Sequence, residues 1–195
     1  MNILALDLGT NTGYAIGDEN GLIASGCKCF KGKSIGHAYA NMFQWLTDEL
    51  THRHIDEVWY EQVMGHLGAH AAHAYGGFHA IMSLCCLLNG EVPVSGYHVA
   101  TIKKYITGDG RADKETVIKS VSNRIGQPWD LDNNTADAIA IYLMAMEKHS
   151  VIGKTKTISV GTNDGNTRVQ LPKVQRTCKE VARPRARDRK PGRKR

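Results

Sequence analysis

Near its start the chain carries a short apolar run that ends in a carboxylate. Residues 3–8 read Ile-Leu-Ala-Leu-Asp-Leu, and residues 9–13 read Gly-Thr-Asn-Thr-Gly. The run predicts a buried strand, and the segment after it predicts a turn. Because an isolated buried charge is costly, Asp7 needs a cation or another polar partner at the end of that strand.

The order of the elements that follow predicts the fold class. Two more strands are expected over 14–17 and 22–30, with Glu19-Asn20-Gly21 as a hairpin turn. Further strands are predicted over 56–61 and 92–99, and helices over 34–50, 71–88, 100–106, 114–125 and 134–148. This order is typical of an α/β protein with a mixed five-stranded sheet and helices on both sides. Sites in such sheets gather where strand ends and a helix start converge.

Charge divides the chain into two parts. Residues 1–150 hold 11 Lys/Arg and 16 Asp/Glu, a net −5, whereas residues 151–195 hold 14 Lys/Arg and 3 Asp/Glu, a net +11. A basic tail of this kind favours a polyanion, most often nucleic acid, although a solubilising tail without a partner is the alternative. We expect a possible hairpin or linker over 151–171 and a disordered basic tail over 172–195.

Composition also narrows the cellular setting. The chain is 42% apolar, which is enough for a core. It has no apolar run of about 18 residues, so no membrane span is predicted. The first residues lack the basic start of a secretory leader. Five cysteines without framework spacing indicate a reducing compartment, which we take to be cytoplasmic.

Three carboxylates fall at the ends of predicted elements. Asp7 ends the first strand, Glu61 ends the strand over 56–61, and Asp137 lies in the first turn of the last helix. Each could instead be a turn cap, an edge charge or a residue that favours the helix dipole. Clustered carboxylates without His or Cys suit Mg²⁺ or Mn²⁺. Two such ions about 4 Å apart serve phosphodiester cleavage, so the set and the basic tail together predict a nuclease.

Four segments carry a more specific pattern: Asp7-Leu8-Gly9-Thr10-Asn11-Thr12-Gly13-Tyr14, Glu61-Gln62-Val63, residues 100–114, and Asn134-Thr135-Ala136-Asp137-Ala138-Ile139-Ala140. In this order they resemble the motifs of RuvC-type Holliday-junction resolvases, a family that includes phage-type members with variable C-termini. The third segment carries Lys103 and Lys114 at the family's eleven-residue step. The resemblance covers about residues 1–148 and four ordered motifs make it specific.

The resemblance implies a ribonuclease H-like nuclease domain over 1–150 and a homodimer that cuts two symmetric strands of a four-way junction. It implies two Mg²⁺ ions per site, with Mn²⁺ as substitute, and no nucleotide cofactor. Asp7, Glu61 and Asp137 would be catalytic metal ligands, and Lys114 would act at the scissile phosphate. The residues expected to bind DNA are Lys103, Lys104, Arg111 and Lys114; a solvated surface charge is the alternative for either motif lysine.

The fourth metal ligand is left open by the sequence. Asn134 stands where the family often has a carboxylate, three residues before Asp137 and on the same helix face. An amide oxygen can bind Mg²⁺ but is neutral. Asp132 is the competing ligand, and we favour Asn134. Either residue could instead be the N-cap of the last helix.

Other functions remain as alternatives. A flap or RNA–DNA hybrid nuclease of the same fold would have the same residues. A catalytically silent DNA-binding relative is a further alternative, because Asn134 stands where the family often has a carboxylate. Actin-like ATPases and sugar kinases also begin with a strand ending Asp-Leu-Gly-Thr, but the second phosphate motif and the Gly-Gly adenosine motif that they need are not found here.

Two smaller patterns lie around residues 66–77. His66, His70 and His73 share one face if this segment is helical; a wet or phosphate-contacting face is favoured over zinc, for which a fourth ligand is lacking. Gly76 and Gly77 would allow close helix approach, either at a dimer interface or within the domain.

Overall fold

The computed structural model describes residues 1–65, 68–126 and 130–155. Ten elements occur in this part of the chain: β1 (Ile3–Asp7), β2 (Asn11–Asp18), β3 (Gly21–Cys29), α1 (Ile35–Arg53), β4 (Glu57–Gln62), α2 (Ala69–Leu88), β5 (Val94–His98), α3 (Val99–Thr107), α4 (Lys114–Ile125) and α5 (Asn133–Thr155).

The strands form one mixed sheet in the order β3-β2-β1-β4-β5. β1, β2 and β3 are antiparallel neighbours, whereas β4 runs parallel to β1 and β5 runs parallel to β4. The predicted five-stranded α/β fold is therefore confirmed. Because β1, β4 and β5 are parallel, their carboxyl ends lie at one edge of the sheet. This edge carries Asp7 and Glu61, and we call it the catalytic edge because both residues are predicted to be catalytic.

Helices cover both faces of the sheet, as the alternation of side chains along the strands requires. Ile3 and Ala5 of β1 pack with buried residues of α3, α4 and α5 on one face. Leu4 and Leu6, one residue out of phase, pack with α1 and α2 on the other face. Strand β1 is thus buried on both sides, which explains why its sequence is continuously apolar until Asp7.

The turn after Asp7 is shorter than the predicted segment 9–13. β2 begins at Asn11, and Gly13 pairs with Asp7 across the two strands. The Thr12 side-chain oxygen accepts a hydrogen bond from the Gly9 N–H at 3.2 Å and donates one to the Gly9 carbonyl at 2.6 Å. A single buried threonine therefore closes the turn, so the chain re-enters the sheet at Asn11, three residues earlier than predicted.

Helix α5 is longer than predicted at both ends. It begins at Asn133 and continues to Thr155, where residues 134–148 were expected. Asp137 consequently lies in the second turn of the helix and not in the first. The helix also extends into the segment 151–171 that was predicted as a hairpin or linker; the rest of that segment and the predicted tail 172–195 lie outside the described residues.

Close contact between α5 and β2 sets the position of Asp137. A Cβ placed on Gly13 would lie 1.9 Å from the backbone oxygen of Asn134, so only glycine allows the start of α5 to sit this low on the sheet. By contrast, a Cβ on Gly9 would meet its nearest neighbour, the Asn11 carbonyl oxygen, at 3.6 Å, an ordinary contact.

We therefore expect Gly13→Ala to lower the free energy of unfolding by about 1–3 kcal/mol, because the added methyl must push helix against strand. Gly9→Ala is the matched control and should change stability by much less. Urea denaturation of the two variants measures the difference. Equal midpoints and slopes for the two variants would contradict the tight seating of α5.

Candidate active site

Two carboxylates meet because neighbouring parallel strands end together. Asp7 and Glu61 each follow directly on the paired residues Leu6 and Tyr60. Their side chains lie on the same face as Ala5 and Trp59, two residues earlier, which is the face covered by α3, α4 and α5.

Asp137 joins them from α5, the helix seated on this face. All three carboxylates are partly buried. Burial raises the pKa of Asp7 well above its usual range, and the charges of Glu61 and Asp137 raise it further. Burial and the charge of Asp137 raise the pKa of Glu61 to about 7. The pKa of Asp137 is also raised by burial. The fold thus holds the three predicted site carboxylates close enough for their negative charges to repel one another.

The donor chemistry of this cluster fits a hard divalent cation. Carboxylate oxygens are the ligands that Mg²⁺ and Mn²⁺ prefer, and a cation would relieve the burial and repulsion that raise these pKa values. Within residues 1–65, 68–126 and 130–155, no three His, Cys, Asp or Glu side chains close on one point as a ready-made single-ion site.

Both motif lysines lie beside the carboxylates. The Lys103 ammonium group on α3 donates a hydrogen bond to the Ala112 carbonyl at 2.7 Å, and its charge lowers the pKa values of Glu61 and Asp137. Lys114 is exposed at the start of α4, and its charge lowers the pKa values of Asp7 and Asp137. The eleven-residue spacing thus places one anchored and one exposed cation at the site.

The other two residues expected to bind DNA are exposed on the same helical layer. Lys104 lies in the last turn of α3, one residue after Lys103. Arg111 lies in the loop before α4, where its backbone N–H donates to a carboxylate oxygen of Asp109 at 2.9 Å. Both are available to solvent near Lys114 in the chain.

The two candidates for the fourth ligand have different partners. Asp132 caps α5: its carboxylate accepts hydrogen bonds from the Thr135 backbone N–H at 3.0 Å and from the Thr135 hydroxyl at 2.5 Å. Its charge still raises the pKa values of Asp7 and Asp137. The Asn134 amide nitrogen donates to the sulfur of Cys27 at 3.6 Å, which ties the start of α5 to β3.

Tyr75 of α2 supports the site although nothing in the sequence signalled it. Its hydroxyl donates to the Glu61 carbonyl at 2.9 Å and accepts from the Val63 N–H at 3.2 Å. Burial raises its pKa, and the charges of Glu61 and Asp7 add to the effect. The tyrosine therefore holds the backbone as it leaves β4, which fixes where Glu61 stands.

Four of the remaining predicted residues, His70, His73, Gly76 and Gly77, lie on α2. His70 and His73 are exposed, and His66 lies outside the described residues. A Cβ on Gly77 would lie 2.1 Å from the Tyr39 hydroxyl, so Gly77 serves helix packing within the domain. A Cβ on Gly76 would meet no atom within 4 Å, so this position is open.

Comparisons with known proteins agree with this geometry. The family model described as "Crossover junction endodeoxyribonuclease RuvC" matches residues 3–145. The crossover junction endodeoxyribonuclease RuvC of Vibrio atlanticus is 26% identical over 168 residues, which cover 84% of this chain and 94% of that protein. The RuvC of Nitratidesulfovibrio vulgaris strain DP4 is 28% identical over 148 residues, covering 72% and 89%.

Solved structures share the fold. The Thermus thermophilus RuvC in complex with a Holliday junction substrate has a TM-score of 0.66 and 21% identity, covering 77% of this chain and 96% of that one. The yeast mitochondrial Holliday junction resolvase Ydc2 has a TM-score of 0.55 and 10% identity, covering 78% and 83%. With the family model spanning all four motifs, the chain belongs to the RuvC family of crossover junction endodeoxyribonucleases.

Proposed function

We propose that this chain resolves four-way DNA junctions by metal-dependent cleavage of two strands at paired positions. The main observation that supports this proposal is the cluster of Asp7, Glu61 and Asp137. These three partly buried carboxylates are flanked by two lysines at one edge of the sheet. The family supplies the nuclease activity. The junction as substrate is supported by a structural neighbour in complex with a Holliday junction.

Asp7, Glu61 and Asp137 would hold Mg²⁺, or Mn²⁺ in its place, with two ions per site. Bound in this way, the ions would stabilise the attacking and leaving oxygens of the displacement. The protein contributes a site that is rigid on three sides: β1 and β4 fix two ligands, and the contact of α5 with Gly13 fixes the third.

Lys103 and Lys114 have separate roles in the proposed reaction. Lys103 is anchored by the Ala112 carbonyl, so it gives a fixed positive charge that offsets repulsion among the carboxylates. Lys114 is exposed and free to contact a non-bridging oxygen of the scissile phosphate, where it would stabilise developing negative charge. Lys104 and Arg111 would contact neighbouring phosphates, which position DNA without reading its sequence.

A dimer is expected because two-fold cleavage calls for a two-fold enzyme, and α2 offers the surface. This helix has no Asp, Glu, Lys or Arg, and it is the single described helix long and apolar enough to cross a membrane. One face packs in the core, whereas Leu84, Leu87 and Leu88 remain 43%, 60% and 63% exposed. A second copy would cover them. Sedimentation as a monomer on four-way DNA would contradict this assembly.

The basic segment 172–195 is proposed to add phosphate contacts beyond the domain, and the protein is proposed to act in the cytoplasm of a bacterial cell or a phage-infected host. Three other functions compete: a flap nuclease, a hybrid nuclease and a silent DNA-binding relative. They differ from junction resolution in substrate or in chemistry, so one set of assays separates them.

Asp7→Asn or Asp137→Asn should reduce cleavage by about a thousandfold or more, because loss of a metal ligand removes several kcal/mol of transition-state stabilisation. Binding of the junction should persist, since lysines carry most phosphate contact. We would compare cleavage of four-way, flap, duplex and hybrid substrates in Mg²⁺, Mn²⁺ and excess EDTA. Full activity in EDTA or in either variant would exclude the metal mechanism; preference for flap or hybrid would exclude the junction as substrate.

Glu61→Gln should stabilise the metal-free protein at pH 8. The folded-state pKa of Glu61 is about 7 against an ordinary value of 4.5, so the folded state holds this proton more tightly than the unfolded state does. The resulting stability is complete below the ordinary value and is lost as the pH rises through about 7. The variant avoids that loss, which is on the order of 2–3 kcal/mol at pH 8.

Urea denaturation at pH 5 and pH 8 in EDTA measures this effect. Glu91→Gln, an exposed carboxylate in the loop before β5, is the control and should leave stability unchanged. In excess Mg²⁺ the order should reverse, because the wild-type chain gains binding free energy. A Glu61→Gln variant no more stable than wild type in EDTA at pH 8 would show that the charge of Glu61 does not destabilise the folded protein.

The fourth ligand is tested at Asn134 and Asp132. If Asn134 binds metal, Asn134→Asp should retain cleavage at a lower Mg²⁺ concentration, and Asn134→Ala should reduce activity far more than stability. Asp132→Asn should cost at most about 1 kcal/mol through the altered cap, with cleavage retained. Titration of the cleavage rate with Mg²⁺ measures the ion requirement, and urea denaturation measures the free energy of unfolding. An inactive Asp132→Asn with an active Asn134→Ala would assign the ligand to Asp132.

A further inference from the structure

A second group of lysines lies at the catalytic edge, on the side of the sheet covered by α1. Lys28 is near the end of β3, and Lys31 and Lys33 are in the connection to α1. All three are exposed. Residues 21–47 contain no Asp or Glu, although residues 1–150 carry a net charge of −5. We call Lys28, Lys31 and Lys33 the β3–α1 ridge.

The sheet topology puts the ridge beside the site. The start of β2 lies next to the end of β1, and the end of β3 lies next to the start of β2, where Asn11 pairs with Cys29. The Phe30 N–H then donates to the Thr10 carbonyl at 2.8 Å, inside the turn that follows Asp7. Since neighbouring strands are about 4.8 Å apart, β3 ends about 10 Å from β1.

The connection that carries Lys31 and Lys33 is held in place by short contacts. Ser34 caps α1, with its hydroxyl 3.4 Å from the His37 N–H and 2.8 Å from the ring Nδ1 of His37. A Cβ on Gly32 would lie 2.6 Å from the Cβ of His37, so the chain packs directly on the first turn of α1. Lys31 and Lys33, on either side of Gly32, therefore project from a backbone that is held in place.

The charge of the ridge is not neutralised within the described part of the chain. The ion pairs found there join other residues: the N-terminus with Glu19, Arg53 with Glu49, and His149 with Glu57. The start of the 19-residue helix α1 adds partial positive charge next to Lys33. An uncompensated set of cations at a fixed place attracts an anionic ligand.

We propose that the β3–α1 ridge binds the sugar–phosphate backbone of a junction arm after it has passed the carboxylates. This inference rests on the proposed function. Lys103 and Lys114 lie on the α3–α4 side of the catalytic edge, and the ridge lies on the α1 side. A separation of about 10 Å corresponds to about three nucleotides at 3.4 Å per nucleotide. DNA that turns round the edge is then held on both sides of the scissile phosphate.

The test is the salt dependence of junction binding in EDTA, which separates binding from cleavage. A chain with Lys28→Gln, Lys31→Gln and Lys33→Gln should have a log–log salt slope smaller by about 0.9 for each lost phosphate contact, so by two to three in all. The corresponding triple Lys→Arg variant should keep the wild-type slope. Lys148→Gln is a single-charge control at the opposite edge, next to His149 and the start of β4.

A wild-type salt slope in the triple Gln variant would overturn the ridge as a DNA contact. So would a slope reduced no further than by Lys148→Gln. If the wild-type chain itself fails to bind four-way DNA, the proposed function fails, and the ridge fails with it.

Discussion

Burial and mutual repulsion act together on Asp7, Glu61 and Asp137 at the carboxyl ends of β1 and β4. Parallel pairing forces the first two side chains together, and the seating of α5 on Gly13 brings the third. The metal-free fold therefore contains an unfavourable cluster of charges, partly offset by Lys103 and Lys114. Packing on both faces of the sheet has to outweigh that cost, and binding of a divalent cation would remove it.

The elements and the carboxylates could be predicted because their signals are local. An apolar run that ends in an acid gave β1, and helical spacing gave α4 at its observed bounds, Lys114–Ile125. The turn after Asp7 is predicted too long because its glycines and Asn11 are typical of turns. In the fold Thr12 closes the turn and Gly13 lies in a strand, where it makes room for α5.

Tyr75 and the partners of Asn134 could not be predicted, since they depend on contacts between distant parts of the chain. Tyr75 sits in a helix that reads as a plain apolar core element, yet its hydroxyl holds the backbone beside Glu61. The contact from Asn134 to Cys27 joins residues 107 positions apart. Helix α2, which carries Tyr75, has the apolar sequence of a core helix. Its exposed leucines become evident only once the buried face is known.

The long separation in sequence between the site residues also bears on how the protein folds. The β1–β2–β3 meander forms from neighbouring segments, whereas Asp7 meets Glu61 only after β4 pairs with β1, and meets Asp137 only after α5 docks. Such non-local contacts form late, because the loop must close before they are gained. Mg²⁺ should therefore slow unfolding and leave the folding rate almost unchanged, as stopped-flow rates with and without the ion would show. An ion bound as proposed would stabilise the completed fold and would not nucleate it.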